Sequence, residues 1–286
     1  MKIVLSRKGF DSAAGGVPSP ILPDGRMVSL PIPDKKSEIR YEDIEWRGSK
    51  LGGLVETLTG SRIPRSHFAH LDPDLVRGSY PREPNWRPLL GQTGASQSHL
   101  RNCGVGPGDL FLFFGLFRDV DVGPNGVVWR RGAKKKHVIW GWLQVDQVVG
   151  VDELEADTYP WARYHPHFHR GKERNNTLYL STEFLELPGT SGNLNQGAGV
   201  FSRYTDALCL TDPAANSVGK WLLPDWFYPG GDRPPMTYHT NIERWERTSG
   251  GCTLNLVSRG QEFVLDTAAY PEALDWVYDL IGANSQ

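Results

Sequence analysis

The chain has 286 residues, of which 39% are apolar, and a formal net charge of −2. It is long enough to bury a sizeable core, and its weak charge excludes a global positive field that would attract nucleic acid. Three scattered cysteines without a CxxC pair argue against a cysteine-based zinc site and predict a reducing compartment. Apolar runs such as residues 110–117 are far shorter than the about 20 residues of a membrane helix. We therefore expect a cytoplasmic protein.

Short strands and long loops are predicted in the amino-terminal third. An apolar run at 2–6 predicts a buried strand. It leads into a loop over 7–25 that is rich in glycine, proline and serine. Further strands are predicted at 26–34 and 39–44, and a helix weakened by glycines at 49–60. Interrupted apolar runs of this kind favour a β-rich fold.

The remaining chain predicts longer strands and one good helix. The irregular segment 61–98 has functional or lid character, because long structureless loops are unusual in compact domains. The strands at 105–118 and 137–149 predict a hairpin, and their pattern resembles small barrels of the PUA and ASCH type. Later strands are predicted at 175–187, 200–211 and 261–267, and a helix at 271–281.

These elements predict a β-rich α+β fold. We expect a mixed or antiparallel sheet or a partly open barrel with a PUA/ASCH-like core, long functional loops and a C-terminal helix. No repeat and no obvious linker is present, so residues 1–286 are predicted to form a single domain with elaborations around a barrel-like core at about 100–211.

The loop after the first strand is a candidate substrate site, because sites are usually built on loops at strand ends. It offers two cations, a carboxylate, a hydroxyl and two glycines, namely Arg7, Lys8, Asp11, Ser12, Gly15 and Gly16. Such a loop can cradle a phosphate or a base, although it contains no standard nucleotide motif. The alternative is a glycine-permitted turn in which Asp11 and Ser12 satisfy local N–H groups.

The sequence HFAHLDPDL combines imidazoles and carboxylates. In an extended segment His70, Asp72 and Asp74 point to one face and offer ligands to Fe(II), Mn(II) or Zn(II). The alternative is a helix start, with Asp72 as N-cap, Pro73 in the first turn and Asp74 near the positive end of the dipole. The residues at 78–84 would end that helix at once, which weakens this alternative.

The sequence YHPHFHR contains three of the eight histidines in the chain. On a strand, His165 and His167 would point to the same side and supply two ligands to one metal. The alternative is a surface loop in which the histidines pack on neighbouring aromatic residues. His239 is a lone histidine and lone histidines are more often structural, but it would formally complete a set of two histidines and one carboxylate.

Seven segments together resemble a known family. They are residues 2–25, 70–75, 91–118, 137–145, 165–168, 176–180 and 261–266. They resemble a bacterial and phage family called the nucleotide modification associated domain, the third of a numbered set. The family name rests on genomic context and implies action near systems that modify nucleic-acid bases, without a settled reaction. The resemblance favours a functional interpretation of Asp11, His70, Asp72 and Asp74.

The leading hypothesis is a metal-dependent enzyme that modifies a nucleotide or nucleobase, with the non-haem iron type favoured. The candidate metal ligands are His70, Asp72, His165, His167 and His239. The candidate substrate-binding residues are Arg7, Lys8, Ser12, Gly15, Gly16, Gln92 and Trp226. Asp11 or Asp74 is the candidate acid-base group.

Two alternatives remain open. The chain could be a PUA-like module that stacks a modified base on Trp140, Trp142 or Trp226 without chemistry. It could also be a metal-free glycosylase or transferase that uses Asp11 and Asp72 as paired carboxylates. The low net charge favours a free nucleotide or a short single strand over long duplex DNA. A separation of more than about 10 Å between His70 and the histidines at 165–168 would exclude one shared ion.

Overall fold

The computed structural model describes residues 1–124, 126–155, 157–189, 196–257 and 260–284. In chain order the strands are β1 (Lys2–Arg7), β2 (Ser19–Ile21), β3 (Glu45–Trp46), β4 (Ser49–Lys50), β5 (Leu89–Gln92), β6 (Leu110–Gly123), β7 (Gly126–Trp129), β8 (Lys136–Gly150), β9 (Thr177–Ser181), β10 (Ala198–Val200), β11 (Lys220–Leu223), β12 (Trp245–Thr248), β13 (Gly251–Asn255) and β14 (Glu262–Asp266). The α-helices are α1 (Leu51–Leu58), α2 (Gly94–Asn102) and α3 (Glu272–Asn284).

One large mixed sheet organises the chain in the order β14-β1-β6-β8-β9-β5. Strand β1 is parallel to β6 and antiparallel to β14, and β8 is antiparallel to both β6 and β9. Within the described ranges the two edge strands β14 and β5 do not pair with each other, so the sheet is open and not a closed barrel. The predicted β-rich fold with a mixed sheet and a C-terminal helix is confirmed.

The predicted hairpin is also confirmed, because β6 and β8 pair antiparallel from Leu110↔Gln144 to Phe117↔Lys136. The strands predicted at 26–34 and 39–44 are wrong. These residues form only isolated bridges, including Arg40↔Phe68. Pro31 and Pro33 explain part of this, since proline lacks the N–H that a ladder requires.

The main hydrophobic core covers the sheet, and residues 110–114 of β6 are fully buried in it. In a second apolar cluster, α1 packs against the loops on either side of it, from Val28 to Ile44 and from Ala69 to Leu71. A third cluster joins Trp86 and Leu89 to Trp161 and Leu178. The candidate site lies where the segments of these clusters meet at the ends of β1 and β5.

Local backbone pairing brings these segments together. Ala69 bridges Pro33, and the His70 N–H donates to the carbonyl of Ile32 at 2.7 Å. Strand β5 pairs with β9 so that Gln92 lies opposite Thr177. Four segments that are distant in sequence, around residues 34, 70, 91 and 176, are therefore adjacent in space.

No α-helix among the described residues is long and apolar enough to cross a membrane. The cytoplasmic location and the single-domain organisation with a PUA/ASCH-like core stay predictions.

Candidate metal centre

Three of the predicted ligands meet at one point. One ligand atom each from His70, Asp72 and His167 lies within 4.8 Å of the others. The rings of His70 and His167 are 5.4 Å apart between centroids, and all three residues are buried. The separation is well inside the about 10 Å that would have excluded one shared ion.

Asp72 is held in place by the backbone of β5. The Gly91 N–H donates to Asp72 Oδ1 at 2.6 Å. Residues 70–76 form no helix, and the Asp72–Pro73 peptide bond is cis. The helix-start alternative for this segment is therefore wrong, and the Asp72 carboxylate is directed at the two imidazoles.

Hydrogen-bond partners set the tautomers of both histidines. His70 Nδ1 lies 2.8 Å from Asp34 Oδ2, and His167 Nδ1 lies 2.7 Å from the side-chain oxygen of Asn176. The Asn176 amide also donates to the His167 carbonyl at 2.8 Å, which fixes its orientation. Both partners are hydrogen-bond acceptors, so each Nδ1 is the donor in its contact and each Nε2 is the ring nitrogen left to face the other candidate ligands. Histidine ligands of metals are commonly held by such outer partners.

The electrostatic setting favours the metal-binding forms of His167 and Asp72. Burial lowers the pKa of His167 to about 3, so its imidazole is neutral at pH 7. Burial alone would raise the pKa of Asp72, but the contact with His165 and the charge of Lys8 hold it below its ordinary value. The hydrogen bond with His70 lowers the pKa of Asp34 to about 2. The site therefore presents one carboxylate and neutral imidazole at neutral pH.

His165 contacts the Asp72 carboxylate. Its Nε2 lies 3.3 Å from Asp72 Oδ1, while its Nδ1 accepts from the His167 N–H at 3.5 Å. His165 is the N-cap of a single 3₁₀ turn, Pro166–Phe168, and His167 lies within that turn, so the predicted strand geometry of this pair is wrong. Because of this turn, His167 joins the group of candidate ligands, while His165 contacts the carboxylate of Asp72.

The structure does not bring His239 to this centre. Its ring packs on Phe263, and both ring nitrogens face backbone groups, Nδ1 at 3.0 Å from the Thr237 carbonyl and Nε2 at 3.4 Å from the Val257 N–H. Phe263 follows Glu262 on β14, and successive side chains of a strand point to opposite faces. His239 therefore lies across the sheet from Glu262 and the site.

A polar cavity of about 150 Å³ opens beside the three candidate ligands. Five predicted or charged residues also line it, namely Arg7, Lys8, Asp11, Gln92 and Arg170. Buried Glu262 contacts two of them: the Lys8 ammonium lies 3.4 Å from its carboxylate, and the Gln92 amide donates to it. Three cations therefore face the same cavity as the candidate ligands.

The rest of the predicted loop site is only partly assembled. Asp11 lines the cavity, but its Oδ1 also accepts the N–H groups of Ala13 and Ala14 at 2.7 Å each, as the turn alternative predicted. Ser12 is exposed. Gly15 packs against the Phe10 ring and Gly16 lies beside Arg62, so neither borders the described cavity.

Asp74 and Trp226 do not line the polar cavity. Asp74 is buried and binds the Arg82 guanidinium at 2.6 Å and the Tyr164 hydroxyl at 2.5 Å. Trp226 stacks on Phe227 with centroids 4.0 Å apart, next to α3. The structure thus directs the Asp74 carboxylate into an ion pair and places Trp226 in a remote aromatic cluster.

Three important residues were missed from the sequence. They are Asp34, Asn176 and Glu262, which hold His70, His167 and Lys8 respectively. Asn176 and Glu262 fall in segments 176–180 and 261–266, which carried the family resemblance, so a signal for them was present. Asp34 follows a proline-rich loop and had no comparable signal.

The fold and the site define a β-rich α+β protein with a candidate centre of two histidines and one carboxylate beside a cation-lined cavity. A model of the family Nucleotide modification associated domain 3 matches residues 2–266, and the chain belongs to this family. The family name indicates a role in nucleotide modification. No curated protein and no solved structure matches the chain.

Proposed function

We propose that the chain is a metal-dependent enzyme that modifies a nucleotide or a nucleobase. The observation that carries the proposal is the meeting of the His70 and His167 imidazoles with the Asp72 carboxylate, with one ligand atom of each within 4.8 Å of the others. Family membership supplies the substrate class.

The donor set fits a divalent ion. Two imidazoles and one carboxylate form the facial set of non-haem Fe(II) enzymes, which is why we favour iron over manganese or zinc. Asp34 and Asn176 would orient the two imidazoles, as outer partners do in metal sites. A bound ion would polarise the substrate or activate water or dioxygen.

The residues around the cavity would bind and orient the substrate. Lys8, Arg7 and Arg170 would attract an anionic group such as a phosphate. Buried Glu262 would hold Lys8 and Gln92 toward that group. Asp11 borders the cavity and is the carboxylate we propose for proton transfer, whereas Asp74 is committed to Arg82.

Metal analysis of untagged protein tests the proposal. We expect near-stoichiometric iron, manganese or zinc after purification or reconstitution, and its loss in His70→Ala and His167→Ala. His169→Ala is the matched control, because His169 directly follows the same turn but its Nε2 faces the Arg163 carbonyl at 2.9 Å. Mass spectrometry of nucleotides incubated with loaded protein and dioxygen tests the reaction.

Equal metal contents in the wild type and the two ligand variants would contradict the centre. Metal-free protein that still binds nucleotides would favour the base-reading module or the metal-free enzyme over our proposal.

A further inference from the structure

A second cavity adjoins the candidate metal centre. It has a volume of about 130 Å³ and shares Gly9 and Asp72 with the polar cavity as lining residues. Unlike the polar cavity, its walls are mostly apolar and include the indoles of Trp46 and Trp140. The two cavities therefore offer an apolar compartment and a charged compartment side by side.

A small hairpin forms one wall of this second cavity. Strands β3 and β4 are joined by Arg47 and Gly48, whose φ angles of 46° and 78° are those of a type I′ turn. The hairpin places Trp46 on the cavity, and the Arg26 guanidinium lies 5.4 Å from the Trp46 ring centroid. That cation–π contact orients the indole.

Exposed apolar side chains lie among its lining residues. Val76 and Val200 are 42% and 37% exposed and both line this cavity. Polar groups are also present, including the hydroxyls of Ser29 and Ser79. A flat ligand with an apolar face and a hydrogen-bonding edge suits this combination, as in other small-molecule sites.

We propose that this second cavity binds the heterocyclic base of a nucleotide, with Trp46 as its stacking partner. The phosphate of the same ligand would face Lys8, Arg7 and Arg170 in the polar cavity. Every base has a π-face that can stack on an aromatic ring. We therefore expect this cavity to select for a heterocyclic base but not to distinguish one base from another. The inference rests on the proposed function only for identifying this ligand with the substrate.

Calorimetric titration of the intact chain tests the proposal, with and without added Mn(II). The probes are the four deoxynucleoside 5′-monophosphates and deoxyribose 5-phosphate, which lacks a base. Two variants address the cavity: Trp46→Leu removes the stacking partner, and Val200→Phe fills the cavity from an exposed strand position. Trp276→Leu is the control, because Trp276 is a half-buried tryptophan of α3 that packs on Phe227.

We expect Trp46→Leu and Val200→Phe each to weaken binding of at least one nucleotide about tenfold, within the range for loss of one stacked base. Trp276→Leu should bind like the wild type. Deoxyribose 5-phosphate should bind weakly and equally to all of these proteins, and Lys8→Met should weaken its binding.

Unchanged nucleotide affinity in both cavity variants would overturn the inference, as would the absence of nucleotide binding. This failure is distinguishable from failure of the proposed function, since metal binding that depends on His167 would be unaffected. Conversely, the protein could bind bases in a Trp46-dependent way and bind no metal. That result would support base binding in the second cavity and contradict the proposed metal centre.

Discussion

His167 and His239 lie in two regions of the molecule and are equally buried, but their ring nitrogens have different partners. Both were predicted as ligands, both are almost fully buried, and burial lowers their pKa values to about 3 and about 4. His239 has a backbone group at each ring nitrogen. His167 gives only Nδ1 to Asn176 and keeps Nε2 beside Asp72 and His70. Burial alone therefore does not single out a candidate ligand, whereas a ring nitrogen left beside other donor groups does.

Replacing each histidine by glutamine gives the largest contrast. His167→Gln should weaken Mn(II) or Fe(II) binding more than about 100-fold, above the effect expected for an outer partner. His239→Gln should leave the dissociation constant unchanged. Calorimetric titration under anaerobic conditions measures both constants, and circular dichroism verifies the fold. Equal losses in the two variants would erase the distinction between the two regions.

Gly91→Ala tests the close packing of His167 without removing any ligand. A Cβ atom at Gly91 would overlap the His167 imidazole, so the ring or the β5 backbone that holds Asp72 must shift. We expect a loss of metal affinity approaching that of His167→Gln. Gly106→Ala is the matched control, because a Cβ atom there meets no heavy atom within 4 Å among those described. Tight metal binding by Gly91→Ala would show that the imidazole adjusts freely.

Asn176→Ala tests whether the hydrogen bond at His167 Nδ1 contributes to metal affinity. Without the acceptor at 2.7 Å from Nδ1, the ring loses its fixed tautomer and orientation. Metal affinity should fall about 10- to 100-fold, as for outer partners in other centres. An affinity within twofold of the wild type would mean that packing alone positions His167. The dissociation constant from the same titration decides between these results.

The pH dependence of stability gives the smallest effect. His239 has a pKa of about 4 in the folded chain, because burial disfavours its charged form, against about 6.5 when unfolded. Between these values only the unfolded chain holds the proton, so the free energy of unfolding falls as the pH falls. Below pH 6.5, His239 contributes up to about 1.4 kcal/mol per pH unit to this fall. The free energy of unfolding of the His239→Gln variant should therefore fall less steeply than that of the wild type. Urea unfolding of metal-free protein from pH 7 to 5 measures it, and parallel curves would contradict the folded pKa.

Elements with a strong local signal were predictable from the sequence. Strands β6 and β8 carry long apolar runs, and α3 carries an apolar stripe. The sheet of β11, β13 and β12 was missed, because its strands of four or five residues have little periodicity to detect.

The same reasoning separates the candidate site into predictable and unpredictable parts. His70 with Asp72, and His165 with His167, were found because neighbours in sequence displayed the right chemistry. The contact between His70 and Asp34 spans 36 positions, and that between Lys8 and Glu262 spans 254. These pairs form only when the chain folds, so they could not be predicted from composition or from the spacing of residues in the sequence.

The donors of the centre come from chain segments that meet only after folding. His70 and Asp72 belong to one segment, His167 to another, and β5 fixes the carboxylate through Gly91. An ion that binds these donors therefore favours the native chain over the unfolded chain, by about 2.7 kcal/mol at 100 times its dissociation constant. Melting temperature in the presence of each candidate ion then ranks their affinities before any reaction is known, and His167→Gln should respond to none of them.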